Sequence, residues 1–304
     1  MPVSPRETFV TEQALRILII GAHPDDGDIK AGGTAAKWCA LGHQVKLVSL
    51  CDGSAGHQSM WGAPLAERRR DEARAAGAVI GATYEVLDQP DGELQPTLAV
   101  RRQVIRMIRS FRPDLVITHR PTDYHPDHCY TGLLVQEAAY LLTVPAICRD
   151  TPHLERSPVI LHFGDAFKKP CRFEPHVIVD IEDGLEKVVA MLHCHASQFY
   201  EWLPFNAGYL DQVPQADGAR RIWLDERMRR RIRPLADRHR DQVVRTYGPE
   251  RGPLVRYIEA FEVSEYGAPL DAAARARLFP FLPAGAALGG AFVRKEWVDI
   301  PEED

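Results

Sequence analysis

Four short apolar runs punctuate the first 120 residues, at 16–20, 44–50, 83–87 and 114–118, and each gap between them holds a stretch long enough for one helix. The helix-like stretches fall at about 29–41, 64–78 and 98–111; in the last, Val104, Ile105, Ile108 and Phe111 recur at helical spacing. Strands joined through crossover helices lie parallel, and a parallel sheet is covered by helices on both faces. The expected fold is therefore α/β: a doubly wound, mainly parallel Rossmann-like sheet with helices on both faces and a C-terminal extension. Further along, 128–142 and 183–195 read as helices, and 159–163 and 176–179 as strands. Arginines 101, 102, 106, 109 and 112 read as the solvated face of the third helix. The arginine-rich segment 220–245, interspersed with Asp225, Glu226, Asp237 and Asp241, reads as a surface or subunit-contact helix that Pro234 interrupts. Residues 1–250 are expected to form one domain. Residues 251–304, with the stretches LPAGAALGGAF and PEED, are expected as an extension packed on it or peripheral to it.

Composition narrows the partners. The 304 residues are 45% hydrophobic and 26% charged, as in an ordinary globular protein, and the formal net charge of −5 speaks against nucleic acid or anionic membrane as partner. No run approaches the ~18 consecutive apolar residues of a membrane span. The N-terminal MPVSPRETFVTEQ has no apolar core of an export signal. Cys39, Cys51, Cys129, Cys148, Cys171 and Cys194 include no C-x-x-C pair and read as reduced thiols of a cytoplasmic protein. A small-molecule substrate is the expected partner, and a homo-oligomer is compatible with the composition.

The chemistry gathers at two strand ends. The first strand runs into Gly21-Ala22-His23-Pro24-Asp25-Asp26, and the fourth into a loop ending Tyr124-His125-Pro126-Asp127-His128. In a doubly wound sheet the crevice lies past the carboxyl ends of the strands where strand order reverses, and strands one and four commonly flank that point. The two clusters would then face each other. Imidazole and carboxylate suit a divalent metal, and a catalytic zinc keeps three protein ligands and one open position. His23 and Asp26 can both point inward from a tight turn, and His125 or His128 can supply the third ligand. Pro24 and Pro126 stiffen the turns. Gly32-Gly33 would let the following helix pack against the strand. It does not fit a G-x-G-x-x-G loop, and the preceding carboxylates would repel a pyrophosphate.

These residues resemble a known family, the PIG-L/LmbE-like zinc-dependent de-N-acetylases. The likeness runs through A-H-P-D-D with its following G-G, Asp52-Gly53, the R-x-x-E-A of Arg69, Glu72 and Ala73, and Pro90-Asp91-Gly92. It continues to H-P-D-H at 125–128 and the H-x-S-Q of His195, Ser197 and Gln198, covering about residues 14–200. The paired A-H-P-D-D and H-P-D-H motifs are specific and the others weak alone. The resemblance implies that His23, Asp26 and His128 bind zinc, with Fe2+ or another divalent ion also suited to such a set. It implies Asp25 as general base and His125 as the group that stabilises the oxyanion or protonates the departing amine, with Asp127 orienting the His125 ring. Arg69 and Asp91 match positions near the sugar, and His195 would lie beside the ligands or at the mouth. The implied reaction removes an N-acetyl or other acyl group from an amino sugar or related small amine. The acid that follows A-H-P-D-D in the family stands here as Asp28, after Gly27, and Asp123-Tyr124 puts Tyr124 out of register for an oxyanion role.

Two other functions share the same residues. An Fe(II) oxygenase uses two histidines and one carboxylate, but a second acid next to a ligand favours hydrolysis. A catalytically inactive, metal-stabilised sugar-binding protein would not need the full catalytic set that this chain carries.

Overall fold

The computed structural model describes residues 14–285. The N-terminal MPVSPRETFVTEQ, the part of LPAGAALGGAF after residue 285, and PEED lie outside the described residues.

The first strand, β1 (Arg16–Gly21), sends Ile17 and Ile19 into one apolar core and Leu18 and Ile20 into the other, all four fully buried. Each such side chain contributes about 1.5–3 kcal/mol. A strand with both faces covered has to read as a continuous apolar run, as RILII does. The chain continues through α1 (Asp26–Ala40), β2 (Gln44–Cys51), α2 (Ala63–Ile80), β3 (Thr83–Gln89) and α3 (Leu98–Phe111). Then come β4 (Leu115–Thr118), α4 (Pro126–Ala139), β5 (Val159–Phe163), β6 (Val177–Asp180) and α5 (Leu185–Cys194). After a π-helical turn at Ser197–Trp202 follow α6 (Leu203–Asn206), α7 (Asp217–Arg238), α8 (Arg240–Arg251), β7 (Ile258–Val263) and α9 (Ala272–Leu278). Local chemistry sets several ends. The Thr97 hydroxyl caps α3 by accepting from the Val100 amide at 3.3 Å, and Gly81, with φ 78°, closes α2.

Among the described residues seven strands lie in the order β3-β2-β1-β4-β5-β7-β6. β3, β2, β1, β4 and β5 run parallel, and β7 is antiparallel to both β5 and β6. Strand order therefore reverses between β1 and β4, as expected. Helices α1 and α5 bury Trp38, Val188 and Leu192 on one face, and α3 and α4 bury Val104, Ile108 and Leu134 on the other. Residues 258–263, within the segment expected as an extension, form a strand between β5 and β6. Among the described residues no helix is long and apolar enough to cross a membrane.

Three local expectations are corrected. The close approach of α1 to the strands is made by Gly27, where a Cβ would meet Leu47 at 2.8 Å and Ile19 at 3.2 Å. A Cβ on Gly33 would instead lie 2.7 Å from Ile181, after β6. Pro234 sits inside α7, and the break falls at His239 between α7 and α8. Arg109 is no part of a solvated face. It is 2% exposed, and its guanidinium donates to the carbonyls of Leu141 and Leu142, in the 3-10 turn Tyr140–Thr143 after α4, and of Val144 and Ile147 in the loop beyond it. A fork of five donors suits a cluster of carbonyls left free by a helix end and the loop after it, so burial of this charge is compensated.

Candidate active site

The turn after β1 is built around Asp26. Its Oδ2 accepts the amides of Ala22 at 3.0 Å and His23 at 2.8 Å, and His119 Nε2 lies 3.1 Å away. One carboxylate oxygen is thus committed to holding the turn, and Oδ1 faces His128 Nε2 at 3.4 Å. Gly21 is required here, because a Cβ on it would lie 2.7 Å from the Asp26 Cβ.

His23 and His128 meet across the crevice, with His23 Nδ1 and His128 Nε2 3.2 Å apart. Each ring has a carboxylate on its far nitrogen. His23 Nε2 lies 3.1 Å from Asp127 Oδ2 and 3.2 Å from Asp91 Oδ1, and His128 Nδ1 lies 3.0 Å from Asp123 Oδ1. A carboxylate only accepts, so the far nitrogens carry hydrogens, and a neutral ring would then present its facing nitrogen's lone pair to a metal. His23 Nδ1 is also 3.6 Å from Asp26 Oδ2. Ligand atoms on a tetrahedral zinc at about 2.0–2.1 Å lie about 3.3–3.4 Å from one another, and the His23 Nδ1–His128 Nε2 and His128 Nε2–Asp26 Oδ1 separations of 3.2 and 3.4 Å are close to that spacing. The residues therefore fit a divalent ion. Burial opposes charge on both rings, but the surrounding carboxylates prevail and hold His23 well above, and His128 above, the ordinary imidazole value. A metal must compete with protons here.

Asp25 stands beside this triangle, buried, at φ 136° and ψ −21°. Its Oδ2 is 3.3 Å from Arg69 Nη2, which also donates to the Pro24 carbonyl at 2.6 Å. Burial pushes the Asp25 carboxyl up to about 6, against the pull of the Arg69 guanidinium. Arg69 is 2% exposed and reaches Asp25 past Gly53, where φ is 72° and a Cβ would strike the arginine at 2.7 Å. The D-G dipeptide thus has a steric reason.

His125 caps α4, its Nδ1 accepting the Asp127 amide at 3.2 Å, and its ring lies 4.6 Å from that of His23. Burial lowers its pKa, and the positive charge of His23 and His128 lowers it further. With Nδ1 used as an acceptor, neutral His125 carries its hydrogen on Nε2. Asp127 does orient this ring, but through its backbone amide. Its carboxylate lies on His23 and accepts the amides of Gly92 at 2.7 Å and Leu94 at 3.2 Å, which corrects the expected partner.

The remaining candidates divide. Asp91 is in the site, yet Oδ1 meets His23 and Oδ2 accepts the Ala55 amide at 3.3 Å. Burial pushes the Asp91 carboxyl up, but the His23 and Arg69 charges hold it down to about 2. His57 serves the rim loop, with Nε2 2.8 Å from Glu201 Oε2 and Nδ1 accepting the Ser59 and Met60 amides. Tyr124 is 77% exposed with its ring 5.6 Å from that of His128. The two weak motifs meet each other: Ser197 donates to Glu72 through its amide at 2.9 Å and its hydroxyl at 2.5 Å, and Gln198 donates to the Gly56 carbonyl at 3.0 Å. Sequence reading missed His119 and Asp123 as partners of the cluster. Both lie on the segment between β4 and α4, and that proximity to H-P-D-H was the signal available.

The chain resembles several known proteins. The family model PIG-L, GlcNAc-PI de-N-acetylase, matches residues 18–139, which carry both strand-end motifs. A diacetylchitobiose deacetylase of Thermococcus kodakarensis is 32% identical over 201 residues, covering 62% of this chain and 74% of that protein. A 4-oxalmesaconate hydratase of Pseudomonas putida is 26% identical over 207 residues, covering 66% and 80%. The solved N,N'-diacetylchitobiose deacetylase of Pyrococcus horikoshii superposes with a TM-score of 0.63 at 26% identity, covering 83% of this chain and 84% of that one. With the reversal point between β1 and β4, and both motifs at its mouth, the chain belongs to the PIG-L family of de-N-acetylases.

Proposed function

We propose that this chain is a metal-dependent N-deacetylase acting on a small N-acetylated amino sugar, with His23, Asp26 and His128 holding a divalent ion such as zinc. The observation that carries this reading is the pair of facing imidazole nitrogens 3.2 Å apart with Asp26 Oδ1 3.4 Å from His128 Nε2, beside a buried, arginine-held carboxylate at the neighbouring position 25. The close groupings of possible ligands among the described residues are His23, His125 and His128; His23, Asp91, His125 and Asp127; and Asp26, His119 and His128. His119 Nε2 is already on Asp26 and His125 Nδ1 on a backbone amide, whereas the Asp91 and Asp127 carboxylates face the protonated side of His23. A bound zinc supplies a Lewis acid that polarises an amide carbonyl and makes water a better nucleophile near neutral pH.

The protein groups do the rest. Asp25 accepts a proton from the attacking water as its oxygen adds to the acetyl carbon. The Nε2–H of neutral His125 donates to the developing oxyanion, a role that suits a lowered pKa. The carbon–nitrogen bond then breaks, and the proton gathered by Asp25 leaves with the amine. Arg69 keeps Asp25 aimed, and Asp91 with Asp127 fixes the His23 ring. The names of the relatives support a sugar-linked acetamide as the substrate class.

The test is acetate release from N-acetylglucosamine-type compounds by metal-loaded protein, with a chelated sample as control and hydration of 4-oxalmesaconate as the competing assay. Metal-dependent acetate release is expected. Hydration without acetate release would transfer the reading to the chemistry of the Pseudomonas putida relative.

A further inference from the structure

Behind the catalytic turn lies a polar chain that the reaction as described does not use. The Asp25 amide donates to the Tyr84 hydroxyl at 3.0 Å, and that hydroxyl donates to Asp28 Oδ2 at 3.0 Å. His195 Nε2 lies 3.5 Å from the same oxygen. Asp28, on α1, and His195, which follows α5, are both 0% exposed. Asp28 Oδ1 and both nitrogens of His195 make no hydrogen bond among the described residues. Groups this deep are expensive to leave short of partners, so their presence needs a reason beyond packing.

That reason stands one bond away. Asp25 has φ 136°, a conformation that side chains avoid and that glycine would take without strain. A residue held there keeps its carboxylate where the backbone aims it only while something anchors the backbone. As the residue preceding α1 it makes no side-chain cap of its own. Tyr84 comes from β3, the outer strand, and so ties the turn to an element outside the crevice. Because its hydroxyl accepts from Asp25 and donates to Asp28 together, the two bonds polarise and strengthen each other.

We propose that Tyr84, backed by Asp28 and His195, is a positioning residue that locks the Asp25 backbone in its strained geometry and thereby aims the catalytic carboxylate. This rests on the deacetylase reading only for its kinetic consequences. The substitution Tyr84→Phe keeps the ring and removes the hydroxyl. In metal-loaded enzyme, kcat should fall about 10²-fold with KM unchanged, the scale expected of a misplacement near 1 Å. In an Asp25→Asn background the same substitution should have no further effect on the residual rate, because Tyr84 acts through that carboxylate. Asp28→Asn, which still accepts from Tyr84, should lose less than Tyr84→Phe.

A crystal structure of Tyr84→Phe supplies a readout independent of turnover, and Asp25 should leave the positive-φ region. Equal losses in both backgrounds, or an Asp25 that stays at its present φ without the hydroxyl, would overturn the proposal. If the parent protein releases no acetate at all, the functional reading fails and the crystallographic result still decides this one.

Discussion

Arg69→Met tests how the base is tuned. Arg69 is 2% exposed, with Nη2 3.3 Å from Asp25 Oδ2 and 2.6 Å from the Pro24 carbonyl. Methionine fills much of the same space without the charge. Burial pushes Asp25 up to about 6 while Arg69 pulls it down, so removing the guanidinium must raise the value further. An arginine charge this close typically holds a carboxyl down by about 1–3 pH units, and a single ion pair at 3.3 Å belongs in the lower part of that span. Asp25 must be ionised to accept a proton, so activity rises with pH along the acid limb. In Arg69→Met that limb should move to higher pH by about one to two units. Activity below it should drop about 10–100-fold, while the plateau above stays within several-fold. A bound divalent ion shifts both enzymes to lower pH and leaves the sense of the difference intact. The assay is kcat/KM for acetate release between about pH 5 and pH 9 at equal metal occupancy. An acid limb that stays in place, or moves to lower pH, would refute the assignment of Arg69 to the Asp25 carboxylate.

Other outcomes follow from the same geometry. His128→Ala should lose most of its bound metal, whereas Asp25→Asn should keep one ion per chain and lose about 10²–10⁴-fold in turnover; metal analysis beside kinetics separates them. Asp123→Asn leaves every proposed ligand in place but loosens the His128 ring, so metal affinity should weaken about 10–100-fold by competition with a chromogenic chelator. Because surrounding carboxylates hold the His23 and His128 values up, loading metal at neutral pH should release protons, and affinity should fall as pH is lowered. Calorimetry in buffers of different ionisation enthalpy reads that release directly, and its absence would contradict the ligand assignment. Gly53→Ala should destabilise the fold by about 1–3 kcal/mol and slow turnover, since its Cβ meets Arg69 and its φ is positive; a melting curve unchanged from the parent would show that the loop simply shifts.

Much of the site was readable because it is local. A-H-P-D-D follows β1 and H-P-D-H opens α4, so covalent continuity brings His23, Asp25 and Asp26 together and likewise His125, Asp127 and His128. The alternation of apolar runs and amphipathic helices determined a mainly parallel, two-sided sheet, because only that arrangement buries such runs on both faces. From that alone, the facing of the two motifs across the β1–β4 reversal could be anticipated.

What tertiary structure alone decided is which atoms meet. A one-dimensional pattern places Asp127 beside His125, yet the carboxylate turns to His23 and only the backbone amide serves His125. Arg109 reads as a surface arginine and Arg69 as a sugar contact, and each is buried because distant carbonyls or carboxylates converge on it. β7 was unread, since an antiparallel strand inserted between β5 and β6 arrives from residues 258–263 with no crossover pattern to announce it. Periodicity and motif spacing fix which residues share a face or a turn, but long-range hydrogen bonds depend on side-chain directions that only packing sets. The sequence by itself therefore determined the sheet and the two clusters at its mouth; packing decided that Asp25 would be held between Arg69 in front and Tyr84 behind.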